Sequence, residues 1–424
     1  MTILFFTSEL PYPLITGSKI KTFNLIKNLS SKHKIILLSF ASEKEKDVIV
    51  YLKKWCIDVK IILIPLIKIN LIYRIIRFIS FSPEVIRKYM SKEAKETFLN
   101  ILNNYKIDLI HFDAIYVSNY IKYAKNIPTV LHQNNIESLN YLSVIKKRKI
   151  SKLKKIRLFF EYYKYKKYEF NICKKFNCCL MVSLEEKEIL KKNCSKVKTD
   201  LLLNGVDSDY FKPMETKIEP FSLVFTGTMY YEPNIDAMEY FCQNIFPLLK
   251  EKIPLVKLYI VGQKPPQKII NFGKDENIIV TGFVEDIREY IAQSCIYIVP
   301  VRTGGGTKTK ILEAWSMEKP IISTLFGAMG LNYISNENII IADTSLEFVD
   351  KIIMLFENEN MRIELGKKGR ETIEKKYDYK LISENLDKIY HKIIENKKNE
   401  RKCNYEKIFN SYLYIFILFF SILF

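Results

Sequence analysis

The chain has eight cysteines but no C-x-x-C pair, and most of the eight sit inside apolar runs, where a free thiol behaves as a small hydrophobe. A disulfide framework is not indicated, and a reducing compartment is expected. Histidine is scarcer. His33, His111, His132 and His391 are the four, none paired at i, i+3 or i+4, which argues against a dedicated zinc site. The start, Met-Thr-Ile-Leu-Phe-Phe-Thr, lacks the basic residues, longer apolar stretch and small-residue cleavage site of a signal peptide, so a cytosolic chain is expected. No nucleic-acid-binding motif is present.

What is there is enough for two large cores. A chain of 424 residues exceeds one ordinary domain, and 48% hydrophobic with 27% charged residues is a globular composition. The 66 basic residues exceed the 47 acidic ones, for a net +19. That balance implies an anionic partner: nucleic acid, lipid headgroup or phosphorylated substrate. Abundant Lys, Ile and Asn suggest an AT-rich genome, which lowers the weight of the lysine excess.

Short apolar runs alternate with longer stretches of helical period, the pattern of parallel strands with crossover helices. Strands are expected at Ile3 to Thr7, Lys34 to Ser39, Lys60 to Pro65, Asp108 to Phe112, Thr129 to His132, Cys178 to Ser183 and Leu201 to Leu203. After Asn204-Gly205 and the Lys212-Pro213 break, the pattern restarts at Ser222 to Phe225, Lys257 to Val261, Ile278 to Val280, Ile296 to Val299, Ile321 to Ser323 and Asn338 to Ile341. The fold class is α/β, with two doubly wound Rossmann-like domains, residues 1–212 and 213–377. Residues 378–400 are expected to be a helix crossing back to the first domain, and 401–424 a basic linker with an apolar tail. Since such sheets bind ligands at the carboxyl ends of strands, the site is expected between the domains.

The segment from Tyr297 to Thr324 reads as strand, glycine loop, helix, strand. Gly304, Gly305 and Gly306 let backbone N–H groups approach an anion without Cβ interference, and the helix N-terminus after Thr307 favours a diphosphate. Arg302, Lys308 and Lys310 add fixed positive charge, and Glu313 is placed where a carboxylate accepts hydrogen bonds from two ribose hydroxyls. A plain tight turn with Glu313 on a solvated face fits the loop taken alone equally well.

The segment resembles the donor-binding region of retaining GT-B glycosyltransferases, group 1 (family 4), which often read P-x-x-x-G-x-G-x-x-x-K-x-x-E-A. Val224-Phe-Thr-Gly227-Thr, Tyr259-Ile-Val-Gly262, Val280-Thr-Gly282-Phe-Val-Glu-Asp286 and Gly327-Ala-Met-Gly330 follow in family order. Upstream, Val130-Leu-His132-Gln-Asn134-Asn135, Val182-Ser183-Leu-Glu-Glu and Asn204-Gly205-Val-Asp207-Ser-Asp209 also resemble it, so the likeness covers about residues 1 to 395. The bacterial surface-polysaccharide transferases are the subgroup it most resembles.

The resemblance implies two domains facing across a cleft and a nucleotide diphosphate sugar as donor. It also implies a glycan or lipid-linked acceptor and retention at the anomeric carbon. Asp207-x-Asp209 follows the family's N-G-V-D turn and is read as structural, so no essential metal or other cofactor is expected. Gly227, and Gly17 with Ser18 in the turn Pro11-Tyr-Pro13-Leu-Ile-Thr16-Gly17-Ser18-Lys19, are carried over as donor-site candidates. The family's cleft histidine corresponds to His111 or Asp113 at the end of a strand, either of which could polarise the acceptor hydroxyl, with His132 and Asn135 behind them. A hydrogen-bonded packing role is the alternative for each. Two departures stand out. The first glutamate of the family's E-x7-E pair is replaced by Gly305, and the loop from Thr228 to Asn234 carries no base, so phosphate charge falls to Arg302, Lys308 and Lys310, or to Lys19.

Residues 146–175 hold thirteen bases against Glu161 and Glu169, interleaved with Leu, Ile, Phe and Tyr. That suits a helix at an anionic membrane surface, or a solvated helix that packs one face. Nucleic acid is ranked low. Residues 408–424 are almost wholly apolar after a basic run; seventeen residues span about 25 Å as a helix, short of the roughly 30 Å hydrocarbon core. An anchor at the cytoplasmic face is expected from them. The rival readings are a nucleotide-sugar 2-epimerase of the same fold and a non-catalytic membrane-bound scaffold.

Overall fold

The computed structural model describes residues 1–64, 80, 82–147, 151–304 and 309–400. They form two compact units: Met1–Leu202 together with the chain from Ser383 onward, and Leu203–Ile382.

The first unit is built on one parallel sheet. Its strands are β1 (Thr2–Thr7), β2 (Lys34–Ala41), β3 (Asp58–Leu63), β4 (Leu109–Asp113), β5 (Thr129–Gln133), β6 (Cys178–Met181) and β7 (Thr199–Leu201). They lie in the order β3-β2-β1-β4-β5-β6-β7. Ile3 to Phe6 and Leu109 to Phe112 are completely buried, as expected of parallel strands covered on both faces. Helix α1 (Gly17–Leu29) begins where Thr16 Oγ1 accepts from the Lys19 backbone N–H at 3.4 Å, and it turns Leu25, Ile26 and Leu29 inward. Helices α2 (Glu137–Lys147) and α3 (Lys152–Cys173) pack on each other after β5.

The second unit repeats the plan. Strands β8 (Glu219–Thr226), β9 (Lys257–Val261), β10 (Ile278–Gly282), β11 (Ser294–Val299), β12 (Ile321–Ser323) and β13 (Ile340–Ile341) form a parallel sheet in the order β10-β9-β8-β11-β12-β13. Helix α4 (Glu232–Tyr240) follows β8 and α5 (Thr309–Ser316) follows β11. A last helix, α6, spans 379–400, and from Ser383 it belongs to the first unit. There Asp387 Oδ1 lies 2.8 Å from His33 Nε2, and the Tyr390 side chain is fully buried.

Each apolar run read from the sequence forms a strand, with ends that move for local reasons. Ser183 leaves β6 because its hydroxyl caps the next helix, accepting from the Glu186 N–H at 3.2 Å. Asn338 stays outside β13 because its side chain accepts from the Ile334 N–H at 2.8 Å and donates to Thr372 at 3.0 Å. In each sheet the order turns back once, between β1 and β4 and between β8 and β11, and ligands of doubly wound sheets bind outside the carboxyl ends at such points.

Candidate functional site

In the second unit, the turning point is lined by glycines at positive φ with close neighbours where a Cβ would be. Gly227 follows β8 with φ +154°, and a Cβ there would lie 2.9 Å from Lys310 Nζ and 2.7 Å from Asn234 Nδ2. Gly262, after β9, has φ +157°, and its Cβ would fall 1.8 Å from the Gly227 carbonyl oxygen. Backbone and side chains therefore converge at the ends of β8, β9 and β11.

Lys310 lies in the first turn of α5 and points back at this junction. Its ammonium donates to Asn234 Oδ1 at 2.9 Å and sits 3.7 Å from the centre of the Phe225 ring. Asn234 is fixed in turn by donating to the Thr228 carbonyl at 2.9 Å. Glu313 follows three residues later on the same helical face. It is half-buried, and among the described residues its carboxylate has no hydrogen-bond partner. Burial raises its pKa to about 7, against the lowering effect of Lys310. A carboxylate with acceptor capacity to spare, one turn from a held ammonium, is equipped to take hydroxyl donors on a molecule whose anionic end lies at Lys310.

The other donor-side candidates divide. Gly304 closes the β11 loop at φ +110°, where a Cβ would meet Pro233 Cγ at 2.9 Å. Arg302 is exposed but engaged: its guanidinium pairs with Asp236 Oδ1 at 2.9 Å and stacks 4.0 Å from the Tyr240 ring centre, both residues on α4. Gly305, Gly306, Thr307 and Lys308 lie outside the described residues. Lys19, in the first unit, is bound to Glu45 at 2.6 Å, so its charge is already matched. Ser18 donates to Glu9, and Gly17 begins α1 with open space where a Cβ would be. In the Asp207-x-Asp209 turn, Asp207 Oδ1 accepts from the Tyr210 N–H at 3.1 Å, and Asp209 pairs with Lys380 at 2.7 Å.

The first unit gathers a buried polar cluster at its own turning point. Thr7 at the end of β1 is registered with Asp113 at the end of β4, and Asp113 with His132 on β5. Asp113 Oδ1 is 2.7 Å from His132 Nδ1, and Asp113 also accepts from the Thr22 hydroxyl. Burial alone would raise the Asp113 pKa, but the bond to His132 and the nearby positive charge bring it down to about 2. His111 is fully buried, stacked on Phe5 at 4.6 Å between centroids, with Nδ1 2.6 Å from the Tyr390 hydroxyl. Burial lowers its pKa to about 3. Among the described residues, the Nε2 atoms of His111 and His132 both lack a hydrogen-bond partner.

Lys21 lies under this cluster, its ammonium donating to the Leu202 carbonyl at 2.9 Å. Burial drops its pKa to about 7, opposed by Asp113 and Glu186. One ligand atom each from His111, Asp113 and His132 lie within 4.8 Å of one another, a grouping that could in principle receive a metal ion. The donor set fits a cation poorly. Both Asp113 oxygens are already engaged, and Asp113 also acts electrostatically on the nearby Lys21 amine.

Sequence reasoning missed Lys21, Asn234 and Tyr390. Lys21 had a signal, since it precedes Leu25 and Leu29 by four and eight residues and thus falls on the buried stripe of α1. Asn234 and Tyr390 act through chain separations of 76 and 279 residues and had none.

Two doubly wound parallel sheets, each with its order turning back once, are the architecture of the GT-B fold. Residues 220–358, within the second unit, match the family described as Glycosyl transferases group 1. A sucrose-phosphate synthase from Thermosynechococcus elongatus superposes with a TM-score of 0.70 at 14% identity, covering 93% of this chain and 100% of that one. Anabaena HepE in complex with UDP gives 0.64 at 14% identity, covering 92% and 100%. By sequence, an uncharacterised protein of the cps region of Klebsiella pneumoniae is 23% identical over 299 residues, 67% of this chain and 74% of that protein. The capsular polysaccharide biosynthesis glycosyltransferase CapM of Staphylococcus aureus is 21% identical over 214 residues, 46% of this chain and 55% of CapM.

Proposed function

We propose that the protein transfers a hexose, with retention at the anomeric carbon, from a nucleotide diphosphate sugar to a glycan or lipid-linked acceptor in the synthesis of a cell-surface polysaccharide. One observation carries the donor assignment: Glu313, half-buried and without a partner among the described residues, stands one helical turn beyond Lys310 at the turning point of the second sheet. In this reading Glu313 accepts from the ribose hydroxyls and Lys310 meets the diphosphate. Gly227 and Gly304 leave room for close approach. The neighbours solved with UDP and with UDP-glucose support a nucleotide-sugar donor, and CapM supports a capsular or related glycan as the product.

In the first unit the reading gives Asp113 and His111 the acceptor side. Asp113 holds its charge and orients His132, while His111 supports the cluster from behind through Tyr390. Gly17 and Ser18, at the start of α1, are kept as donor-side candidates. Charge on the departing diphosphate is balanced by lysine and backbone N–H groups, so the reading gives a metal no role; chelation should leave turnover unchanged. A lipid-linked acceptor places the work at the cytoplasmic face of a membrane. The first test is a thermal-shift screen of nucleoside diphosphates and their sugars. A stabilising nucleotide is expected whose effect disappears in Glu313→Ala, and a screen in which none stabilises would remove the donor assignment.

A further inference from the structure

Helix α3 packs on the first unit with one face and exposes another that ought to be polar. Its buried side carries Glu161, Tyr165, Glu169 and Ile172. On the opposite side Ile156, Phe159, Phe160 and Tyr163 are 55%, 47%, 58% and 57% exposed. Their spacing of i, i+3, i+4 and i+7 places them in one stripe along the helix. Four large apolar groups in line on an outward face form a surface that water covers at a cost.

Charge surrounds the stripe on both flanks. At about 100° per residue, Lys155 and Lys166 fall on one edge, Arg157 on the other, and Lys167 in line with its end. The only acids of the helix do not offset them, because both are buried and occupied. Glu169 accepts from the backbone N–H groups of Glu137 and Ser138 at 2.9 and 3.1 Å, capping α2, and Glu161 accepts from the Glu84 N–H at 3.3 Å. The outward face is therefore apolar at its centre, basic at its margins and free of negative charge.

We propose that this face of α3 docks on an anionic lipid bilayer, with Phe159, Phe160 and Tyr163 entering the headgroup boundary and the flanking bases meeting lipid phosphates. Such a helix lies in the plane of the interface. No helix of the described residues is long and apolar enough to cross a membrane, and interfacial binding does not require one. A second copy of the chain fits less well, because two such faces would bring like charges together. Single-stranded nucleic acid fits less well too, since a convex helix face offers no groove to track a backbone. The inference deepens the lipid-linked acceptor reading by naming the surface that would bring the enzyme to it, yet its test does not depend on sugar transfer.

The full chain is mixed with vesicles of phosphatidylcholine with and without phosphatidylserine, and its sedimentation with them is measured. Wild-type protein should bind the anionic vesicles preferentially, and the double variant Phe159→Ser, Phe160→Ser should bind them at least about tenfold more weakly, with an unchanged melting temperature and unchanged nucleotide binding. Since other basic or apolar parts of the chain can also meet lipid, Phe160→Trp supplies a local reading. Its emission should shift to the blue on anionic vesicles and be quenched by brominated acyl chains. Equal sedimentation of wild type and double variant, or an unquenched Trp at position 160 on bound protein, overturns the proposal. So does a concentration-dependent dimer, or binding of a single-stranded oligonucleotide, that the double variant abolishes. Loss of nucleotide binding in the thermal-shift screen would undo the donor reading and leave the vesicle result standing.

Discussion

Replacing Glu313 by alanine tests the donor site through a single carboxylate. Each charge-assisted hydrogen bond from a ribose hydroxyl contributes about 1.5 to 3 kcal/mol, so losing two removes about 3 to 6 kcal/mol before water refills the space. The carboxyl group has a pKa of about 7 in the free protein, raised by burial. Ionising it for binding at neutral pH therefore costs only about 0.4 kcal/mol, the equivalent of a factor of two. Even generous compensation by water leaves more than 1.4 kcal/mol, and Glu313→Ala should weaken binding at least about tenfold. Hydroxyl donors favour the carboxylate, so affinity should rise as pH increases through about 7, and binding near pH 7 should release part of a proton. The free nucleoside is the ligand of choice because it has no phosphate to titrate. Calorimetry in two buffers of different ionisation enthalpy reads both the affinity and the proton release. Glu318→Ala is the control: that residue lies beyond the end of α5 with φ +56°. The reasoning is refuted if Glu313→Ala binds the nucleoside as tightly as Glu318→Ala, or if wild-type affinity is flat across pH 7.

Lys310→Ala should weaken nucleoside diphosphate binding more than nucleoside binding, since its ammonium acts on phosphate; equal losses, measured by calorimetry, would mean that the residue only supports Asn234. Asp113→Ala should destabilise the first unit by about 3 to 5 kcal/mol in denaturant titration, because it removes the buried partner of His132 and Thr22 and a negative charge acting on the buried Lys21. The Asp113 pKa is depressed from 3.8 to about 2, so its stabilising contribution is complete above 3.8 and fades as pH falls towards 2; the acid limb of the wild-type stability curve should flatten in Asp113→Ala. Gly262→Ala places a Cβ 1.8 Å from the Gly227 carbonyl oxygen and should unfold or badly distort the second unit, whereas Gly17→Ala, with open space around it, should leave the melting temperature unchanged.

The parallel sheets were readable because buried strands leave continuous apolar runs, and thirteen such runs became the thirteen strands among the described residues. Their ends were less legible, since Ser183 and Asn338 act as caps and turn ligands, roles set by neighbours that a periodic pattern does not reveal. In the donor site, the spacing of Lys310 and Glu313 on one helix is a local fact and translated directly. Charge accounting did not. Arg302 and Lys19 read as free bases, but Asp236 and Glu45, far away in sequence, satisfy them. His111 read as a strand-end group open to a ligand, and a tyrosine from the last helix packs behind it instead. Ion pairing across long chain separation depends on the folded arrangement, and residue type alone does not disclose it.

The central claim is sugar transfer, and the most direct measurement is acceptor-dependent release of nucleoside diphosphate. The protein is incubated with the nucleotide sugar selected by thermal shift, with and without a membrane extract that supplies glycan and lipid-linked acceptors. Release should require the extract, yield a product with the donor's anomeric configuration, and fall sharply in Glu313→Ala. Donor sugar epimerised without any acceptor, or no acceptor-dependent release from any stabilising nucleotide sugar, would contradict the account.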